Sequence, residues 1–374
     1  MYGIQPYIDK LLDESTPSCP LWNIESIRVG KSPVWNYIDG CMMSALYQLY
    51  IITGEKRYFN FVKNYIDYYV EQDGTIRTYN KEKFNLDDVN EGRVLFDLYG
   101  ATGEEKYKKA IFNIYDQLAN QPRTHTGNFW HKKIYPNQIW LDGIYMAQPF
   151  YCRYKTAFGG CDYSDMLKQI ENVHSLMYDK KKKLYYHGID CSKKAFWADE
   201  KGLSKSFWLR SIGWYLVALA DLMEYCHSKE VVTKLAKIFK EAIAGIVPYI
   251  DHKTNMLYQV VDKPKMAGNY PETSGSLMVS YAMMKGSRLG VLDVKYHEMG
   301  KKIFEGVVSK YLKVYDDGQI KLGGICLVAG LGPEDNKRRD GTYEYYISEP
   351  VVENDAKGVA PLVMCYAEIK NWQK

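Results

Sequence analysis

The 374-residue chain lacks the short motifs that announce a metal, a redox pair or a nucleotide. It contains no H-E-x-x-H, and its seven histidines are scattered, so no zinc constellation is visible. None of its eight cysteines forms C-x-x-C, and several sit in apolar stretches, which suggests reduced, buried thiols in a cytosolic protein. No G-x-S-x-G elbow occurs. "GLGPED" at 330–335 begins like a dinucleotide fingerprint but lacks its third glycine and a preceding βαβ pattern. No apolar run approaches the ~20 residues that span a bilayer, so no membrane is expected. The opening "MYGIQPYIDKLLDE" shows no charged region followed by an apolar one, which makes a cytoplasmic protein the expectation. Net charge is only +4, and the one basic run, Lys180 to Lys183, lies beside a turn, so nucleic acid is not an expected partner. Neither the composition nor the motifs ask for a cofactor or a metal.

Aromatic side chains are abundant, with 34 tyrosines and 8 tryptophans. Flat rings with a polar tip suit sugars, and they equally fill a large core. The stronger signal is a repeat. "LYIITGEKRYFNFVKNYIDYYV" (49–70) resembles "LYGATGEEKYKKAIFNIYDQLA" (98–119), with Thr53-Gly54 and Thr102-Gly103 lying 49 residues apart. Each copy reads as a helix ending at glycine, a turn and a second helix. Tyr58, Val62, Tyr65 and Tyr69 share one face of the first copy's second helix; Tyr107, Ile111, Ile114 and Leu118 share that of the other. Weaker relatives follow near 163–170, 232–246 and 296–307.

A second set of helices interleaves with the first and is apolar nearly all round, the mark of a buried helix. Each opens with polar residues and a glycine: Gly40, Gly92, Gly143, Gly213, Gly275 and Gly358. Six buried helices, each paired with an amphipathic one, predict an all-α chain: an (α/α)6 barrel, or six-hairpin toroid, running as one catalytic domain over 1–374. Short connections suit a monomer. Alternating antiparallel helices place all six inner N-termini at one end. Asp39, Asp87, Asp88, Glu91, Asp142, Arg210, Glu272 and Asp355 are then expected to converge on one pit, although helix capping is the competing role for such residues.

Three long segments, 127–140, 182–190 and 323–350, are expected to rim that pit. Asp142 stands alone among Trp140, Leu141, Gly143, Ile144 and Tyr145. Burial raises a carboxyl group's pKa by up to several units, whereas the helix N-terminus lowers it by an effect of about 1 kcal/mol or less. A protonated acid and therefore a general acid is the expectation, with self-capping of its helix as the alternative. His131 and His187 read either as donors to a ligand or as satisfied rim residues. Arg210 reads either as paired with an acid or as a clamp on a ligand carboxylate. Carboxylates with aromatics and no metal are the vocabulary of glycoside hydrolysis.

The segments "FWHKKIYPNQIWLDGIYM", "FWLRSIGWY", "LYYHGID", "YQVVD" and the "TGEKRY" turn together resemble glycoside hydrolase family 105, the unsaturated rhamnogalacturonyl hydrolases, which are related to the unsaturated glucuronyl hydrolases of family 88. The resemblance runs from about Trp35 to about Glu368. It implies an (α/α)6 barrel and a partner of one kind: an unsaturated uronyl oligosaccharide left by a pectin lyase. The implied reaction hydrates the C4=C5 double bond of a 4-deoxy uronate. Protonation at C4 gives an oxocarbenium-like cation, water adds at C5, and collapse of the hemiketal releases the partner sugar, with no cofactor.

By the same resemblance Asp142 matches the proton donor, and Asp87 matches a second acid that contacts the unsaturated ring. His131, Lys132 and Tyr135 match the binding segment before the catalytic acid, and Trp140 is implied to stack on the sugar. His187, Arg210 and Trp214 match further substrate-binding positions. Asn36 and Tyr37 stand where the family carries a His-Tyr pair. Ala329 matches a loop contact but offers no side-chain hydrogen bond. Three other readings remain beside the rhamnogalacturonyl one: an unsaturated glucuronyl hydrolase for another lyase product, a sugar epimerase using His131 and His187, and a noncatalytic helical-repeat binding protein.

Overall fold

The computed structural model describes residues 3–373. In chain order the helices are α1 (Ile4–Asp13), α2 (Ile24–Val29), α3 (Tyr37–Thr53), α4 (Lys56–Tyr69), α5 (Asp87–Asn90), α6 (Arg93–Thr102), α7 (Glu105–Ala119), α8 (Leu141–Ala157), α9 (Ser164–Met177), α10 (Leu209–Tyr225), α11 (Lys229–Ile246), α12 (Thr273–Arg288), α13 (Val294–Tyr311), α14 (Tyr343–Ser348) and α15 (Ala356–Trp372). The strands are β1 (Gln138–Trp140), β2 (Tyr178–Asp179), β3 (Leu184–Tyr185), β4 (Gly188–Asp190), β5 (Leu312–Val314), β6 (Ile320–Leu322), β7 (Ile325–Cys326) and β8 (Val351–Val352). They form two-stranded antiparallel ladders, β1 with β4, β2 with β3, β5 with β6 and β7 with β8.

The repeat seen in the sequence has a local cause. At both copies the glycine is left-handed, with φ of 75° at Gly54 and 70° at Gly103, a conformation that costs a side chain but not glycine. Each preceding threonine bonds back to its helix, Thr53 Oγ1 to Leu49 O at 2.8 Å and Thr102 Oγ1 to Leu98 O at 2.7 Å. Each also accepts the N–H that opens the next helix, from Glu55 and from Glu104, both at 3.2 Å. The expected faces follow: Tyr58, Val62, Tyr65 and Tyr69 are buried, as are Tyr107, Ile111, Ile114 and Leu118.

Six inner helical segments close a ring. α3 packs on α5 and α6, these on α8, then α10, α12 and α15 follow in turn, and α15 returns to α3. The hairpin partners α4, α7, α9, α11 and α13 lie outside. α1 joins the outer layer beside α4, through Arg57 to Asp9 at 3.2 Å and to Asp13 at 2.8 Å. The fold is the α/α toroid. One of the six expected inner helices is broken: α5 ends at Asn90 and α6 starts at Arg93. The break sits where Gly40 of α3 comes close, since a Cβ there would lie 2.5 Å from Glu91 Cα.

The end of the ring formed by the inner C-termini holds a cavity lined by Arg93, Arg153, Lys285 and Arg288 among acids. Inner helices aim their carbonyl ends at this mouth, and cations there complement the helix dipoles. Asp221 receives Lys285 at 2.7 Å and also Arg93, all three side chains nearly inaccessible. This end is an ion-pair network. Asp142, whose Oδ2 is buried without a hydrogen bond, lies at the other end.

Lys180 to Lys183 form an exposed turn between β2 and β3, as the sequence suggested. Of the eight cysteines, all unpaired, Cys41, Cys152, Cys226, Cys326 and Cys365 are buried, whereas Cys19 and Cys161 are exposed.

Candidate active site

At the N-terminal end of the inner helices a cavity encloses about 460 Å³, part of it open to solvent. Tyr37, Asp87, His131, Lys132, Tyr135, Trp140, Asp142, Arg210, Trp214 and Ala329 all line it. The convergence expected from helix polarity is thus real but narrower than expected. Asp39 is fully buried away from the cavity and accepts from Trp22 Nε1 at 2.8 Å and Asn23 Nδ2 at 3.0 Å. Glu91 accepts the Asn36 N–H at 2.9 Å. Glu272 caps α12 through Gly275 N at 2.7 Å, and Asp355 caps α15 through Lys357 N at 3.0 Å. Asp88 accepts from Asn85 Nδ2 at 2.9 Å. These five acids are held by the frame: Glu272 and Asp355 satisfy orphan N–H groups at helix starts, and the other three accept from Trp22, Asn23, Asn85 and the Asn36 N–H.

Asp142 is placed differently. It is the second residue of α8, whose cap position is Trp140, and the cap carries no side-chain bond. Asp142 Oδ2 has no hydrogen bond, although the residue is only 8% exposed. It lies 3.1 Å from His187 Nε2, out of line for a hydrogen bond. The capping alternative therefore has no bond to rest on. The ladder of β1 and β4 produces this pairing: Trp140 stands opposite Gly188, and Leu141 N donates to His187 O at 3.0 Å. His187 is fully buried behind the acid, and its Nδ1 is 2.6 Å from the Tyr346 hydroxyl. A hydroxyl can donate or accept, so Tyr346 can follow either tautomer of His187.

Asp87 sits across the cavity. Lys132 Nζ lies 2.5 Å from its Oδ2, and His131 Nε2 lies 3.7 Å from its Oδ1. Burial pushes the Asp87 carboxyl up, but Lys132 and His131 outweigh it and hold the group below the usual carboxylate range. Burial pushes His131 down to about 4 against the pull of Asp87, so the ring is neutral at physiological pH. Its Nδ1 faces Gly143, where a Cβ would lie 2.8 Å away; glycine at this helix start admits the imidazole.

The walls are aromatic. Trp140 stacks with His131 at 4.4 Å and Tyr135 at 4.7 Å, and Tyr145 stacks with Trp214 at 4.5 Å beneath them. Arg210 is bonded within the protein through each of its three nitrogens. Its Nε donates to Ser274 at 2.7 Å, Nη1 to Leu327 O at 3.3 Å and Nη2 to Cys326 O, with Glu272 3.6 Å away. It ties the rim segment around β7 to α10 and α12. Asn36 and His187 are the two anticipated residues outside the cavity lining. The Asn36 side chain caps α3 by accepting Ile38 N at 2.8 Å. Sequence reasoning did not single out Met146, Trp208, Val328, Arg339 and Lys357, which complete the lining, or Tyr346. Trp208 lies inside the quoted "FWLRSIGWY", and Val328, Arg339 and Tyr346 lie on the long 323–350 rim, so the signals were present without a means of choosing among neighbours.

Asp88 supplies a test of the electrostatics. Burial, then repulsion from Asp87, raises its carboxyl from about 3.8 to about 7. The folded state therefore holds this proton more tightly than the unfolded chain does. The associated stability is complete below about pH 4 and is lost as pH rises through 7. Asp88→Asn removes that titration. The variant is expected to gain on the wild type as pH rises, by roughly 1–3 kcal/mol near pH 8 and almost nothing near pH 4. Urea midpoints of both proteins across that range check it; a constant difference counts against the assignment.

Among the described residues no group of three or more His, Cys, Asp or Glu side chains is arranged to hold a metal, and no helix is long and apolar enough to cross a membrane. Carboxylates between aromatic walls are the side chains that glycoside hydrolysis uses. The family model described as Glycosyl Hydrolase Family 88 matches residues 7–372, and the chain belongs to that family, the unsaturated glycuronyl hydrolases. More particularly, it is similar to a glycoside hydrolase of family 105 from C. acetobutylicum, with a TM-score of 0.90 and 37% identity over 98% of this chain and 99% of that one. The unsaturated rhamnogalacturonyl hydrolase YesR of Bacillus subtilis is 24% identical over 265 residues, 68% of this chain and 72% of its own length. The unsaturated glucuronyl hydrolase of Bacillus sp. GL1 shares the fold, with a TM-score of 0.64 at 13% identity over 90% of this chain and 86% of that one.

Proposed function

We propose that the protein, acting as one (α/α)6 catalytic domain, removes the 4-deoxy-4,5-unsaturated galacturonyl residue from the nonreducing end of lyase-generated rhamnogalacturonan oligosaccharides. Asp142 delivers its proton to C4, and positive charge develops at C5 and the ring oxygen. The resulting Asp142 carboxylate takes a proton from the water that adds at C5. The C5 hemiketal opens to a ketone, and the hemiacetal left at C1 expels the partner sugar. Asp87, held ionised by Lys132, faces the developing cation. His131, Lys132, Tyr135 and Trp214 contact the ring, with Tyr37 and Ala329 at its edges. Trp140, stacked by His131 and Tyr135, is the wall against which the sugar lies.

The observation that carries this reading is the Asp142 carboxyl: nearly buried, uncapped, with an unbonded oxygen in an aromatic-walled cavity and a His187–Tyr346 pair behind it. A general acid needs such a proton within reach of substrate. The likeness to YesR supports rhamnogalacturonan as the source of the substrate. Incubation with lyase-treated rhamnogalacturonan is expected to erase the ultraviolet absorbance of the enoate and to yield the saturated oligosaccharide by mass spectrometry. Persistent absorbance with folded protein sinks the hydrolase reading. Faster turnover of unsaturated glucuronyl disaccharides from glycosaminoglycans assigns the chain to the glucuronyl alternative.

A further inference from the structure

Four cationic side chains line the cavity: Lys132, Arg210, Lys357 and Arg339. Three are already matched within the protein. Lys132 faces Asp87 at 2.5 Å, and Lys357 faces Glu25 at 2.6 Å and Asp355 at 2.9 Å. Arg210 bonds Ser274 and two carbonyls and lies beside Glu272. Arg339 alone among these has no acid within 4 Å and no side-chain hydrogen bond to any described residue.

Its backbone is nevertheless fixed. Arg339 O accepts Gly332 N at 2.8 Å, and its own N–H donates to Asn336 O at 3.2 Å. Its neighbours are turned to other work. Arg338 pairs with Glu349 at 2.8 Å, and the Asp340 carboxylate is bonded by Thr342 N at 3.0 Å and Thr342 Oγ1 at 2.7 Å. Arg339 Nη1 lies against Gly330, beside the benzo edge of Trp140; a Cβ on that glycine would be 3.2 Å from both. A half-buried guanidinium held beside the sugar-facing wall with its donors empty is the geometry of a receptor for a planar anion.

We propose that Arg339 reads the carboxylate of the uronyl ring, which makes it a specificity-determining residue of this site. This rests on the reading of Asp142 as the proton donor to an unsaturated uronate. The carboxylate is attached to C5, where positive charge develops, so a cation bonded to it does nothing to favour the chemical step. Arg339 therefore acts in binding. Arg339→Gln is expected to raise KM by about 10–100-fold and to leave kcat within about threefold, the pattern of lost uniform binding.

The test compares a carboxylate ligand with its masked form. Binding of galacturonate and of its methyl ester is measured by calorimetry on the wild type, Arg339→Gln and Arg339→Lys, with melting temperatures confirming the fold of each. The wild type is expected to prefer the acid by tenfold or more. Arg339→Gln is expected to bind both alike, and Arg339→Lys to recover part of the preference, because an ammonium keeps charge but not the planar fork. An unchanged preference in Arg339→Gln, or no preference in the wild type, overturns the assignment. Turnover of the unsaturated disaccharide is followed separately. Failure there with intact discrimination overturns the hydrolase reading and leaves the carboxylate receptor standing.

Discussion

Asp142→Asn is expected to lower kcat by about 10³–10⁴-fold while the protein stays folded and still binds its ligand. The substitution keeps the shape of the side chain and removes the acidic proton. General acid–base groups commonly contribute about 10²–10⁴-fold, and here one residue is assigned both the protonation of C4 and the deprotonation of water. The structure separates this from a folding effect. The carboxyl caps no helix and its Oδ2 carries no hydrogen bond, so its loss leaves no backbone donor stranded. Thermal melting should shift by less than about 1 kcal/mol in equivalent stability, the usual range for a site without such a bond. Enoate absorbance in single-turnover experiments, with the melting curve alongside, measures both. Near-wild-type turnover removes Asp142 from the mechanism; joint loss of turnover and fold returns it to a structural role.

The largest expected loss of stability lies at the opposite mouth. Asp221 is 1% exposed and meets Lys285 at 2.7 Å, Tyr281 OH at 3.1 Å and Arg93, with Lys285 and Arg93 themselves buried. Burial raises its carboxyl, but Lys285 and Arg93 prevail and hold it below the usual range. Asp221→Ala leaves Arg93 without an anion and Lys285 with only Glu224, 2.7 Å away. Breaking a buried pair by removing one partner costs about 3–5 kcal/mol, because the remaining charge stays desolvated. A fall of that size is expected in the urea midpoint with an unchanged slope. Asp221→Asn should cost less, since an amide oxygen still accepts from Lys285. A loss below about 1 kcal/mol for the alanine variant contradicts the network, since surface changes fall in that range. The stabilising part of this carboxylate is present above its unfolded pKa and disappears as pH falls through the lower folded value, so the variant and wild type should converge in acid.

Much of the architecture was legible because the signals are local. Thr53-Gly54 and Thr102-Gly103 mark the helix ends through their own hydrogen bonds and left-handed glycines, and the buried faces follow from helical periodicity. Ten of the twelve anticipated site residues line the cavity: helix polarity, readable from the alternation, brings Asp87, Asp142 and Arg210 to one end, whereas Tyr37, Lys132, Tyr135 and Ala329 were named by the family resemblance. The acids were harder to sort. Asp39, Glu91, Glu272 and Asp355 share the position and chemistry of Asp142 in the sequence. Only their partners distinguish them: Trp22 and Asn23 for Asp39, the Asn36 N–H for Glu91, and helix N–H groups for Glu272 and Asp355. Arg210 and Arg339 illustrate the same difficulty for cations, since whether an arginine is engaged or empty depends on hydroxyls and carbonyls contributed from more than 50 residues away, such as those of Ser274 and Cys326.

The paired-helix repeat, the buried helices other than the broken α5–α6 segment, their shared polarity and the rim segments were readable from the chain alone, because interactions within a few turns set them. Tertiary structure decided which carboxylate is left without a donor, which cation is left without an acid, and which histidine stands behind Asp142. Those choices depend on closing a ring in which β4 meets β1 and the 323–350 rim reaches back over Trp140. Hydrogen-bond satisfaction is a property of the whole packed neighbourhood, and no window of sequence contains it.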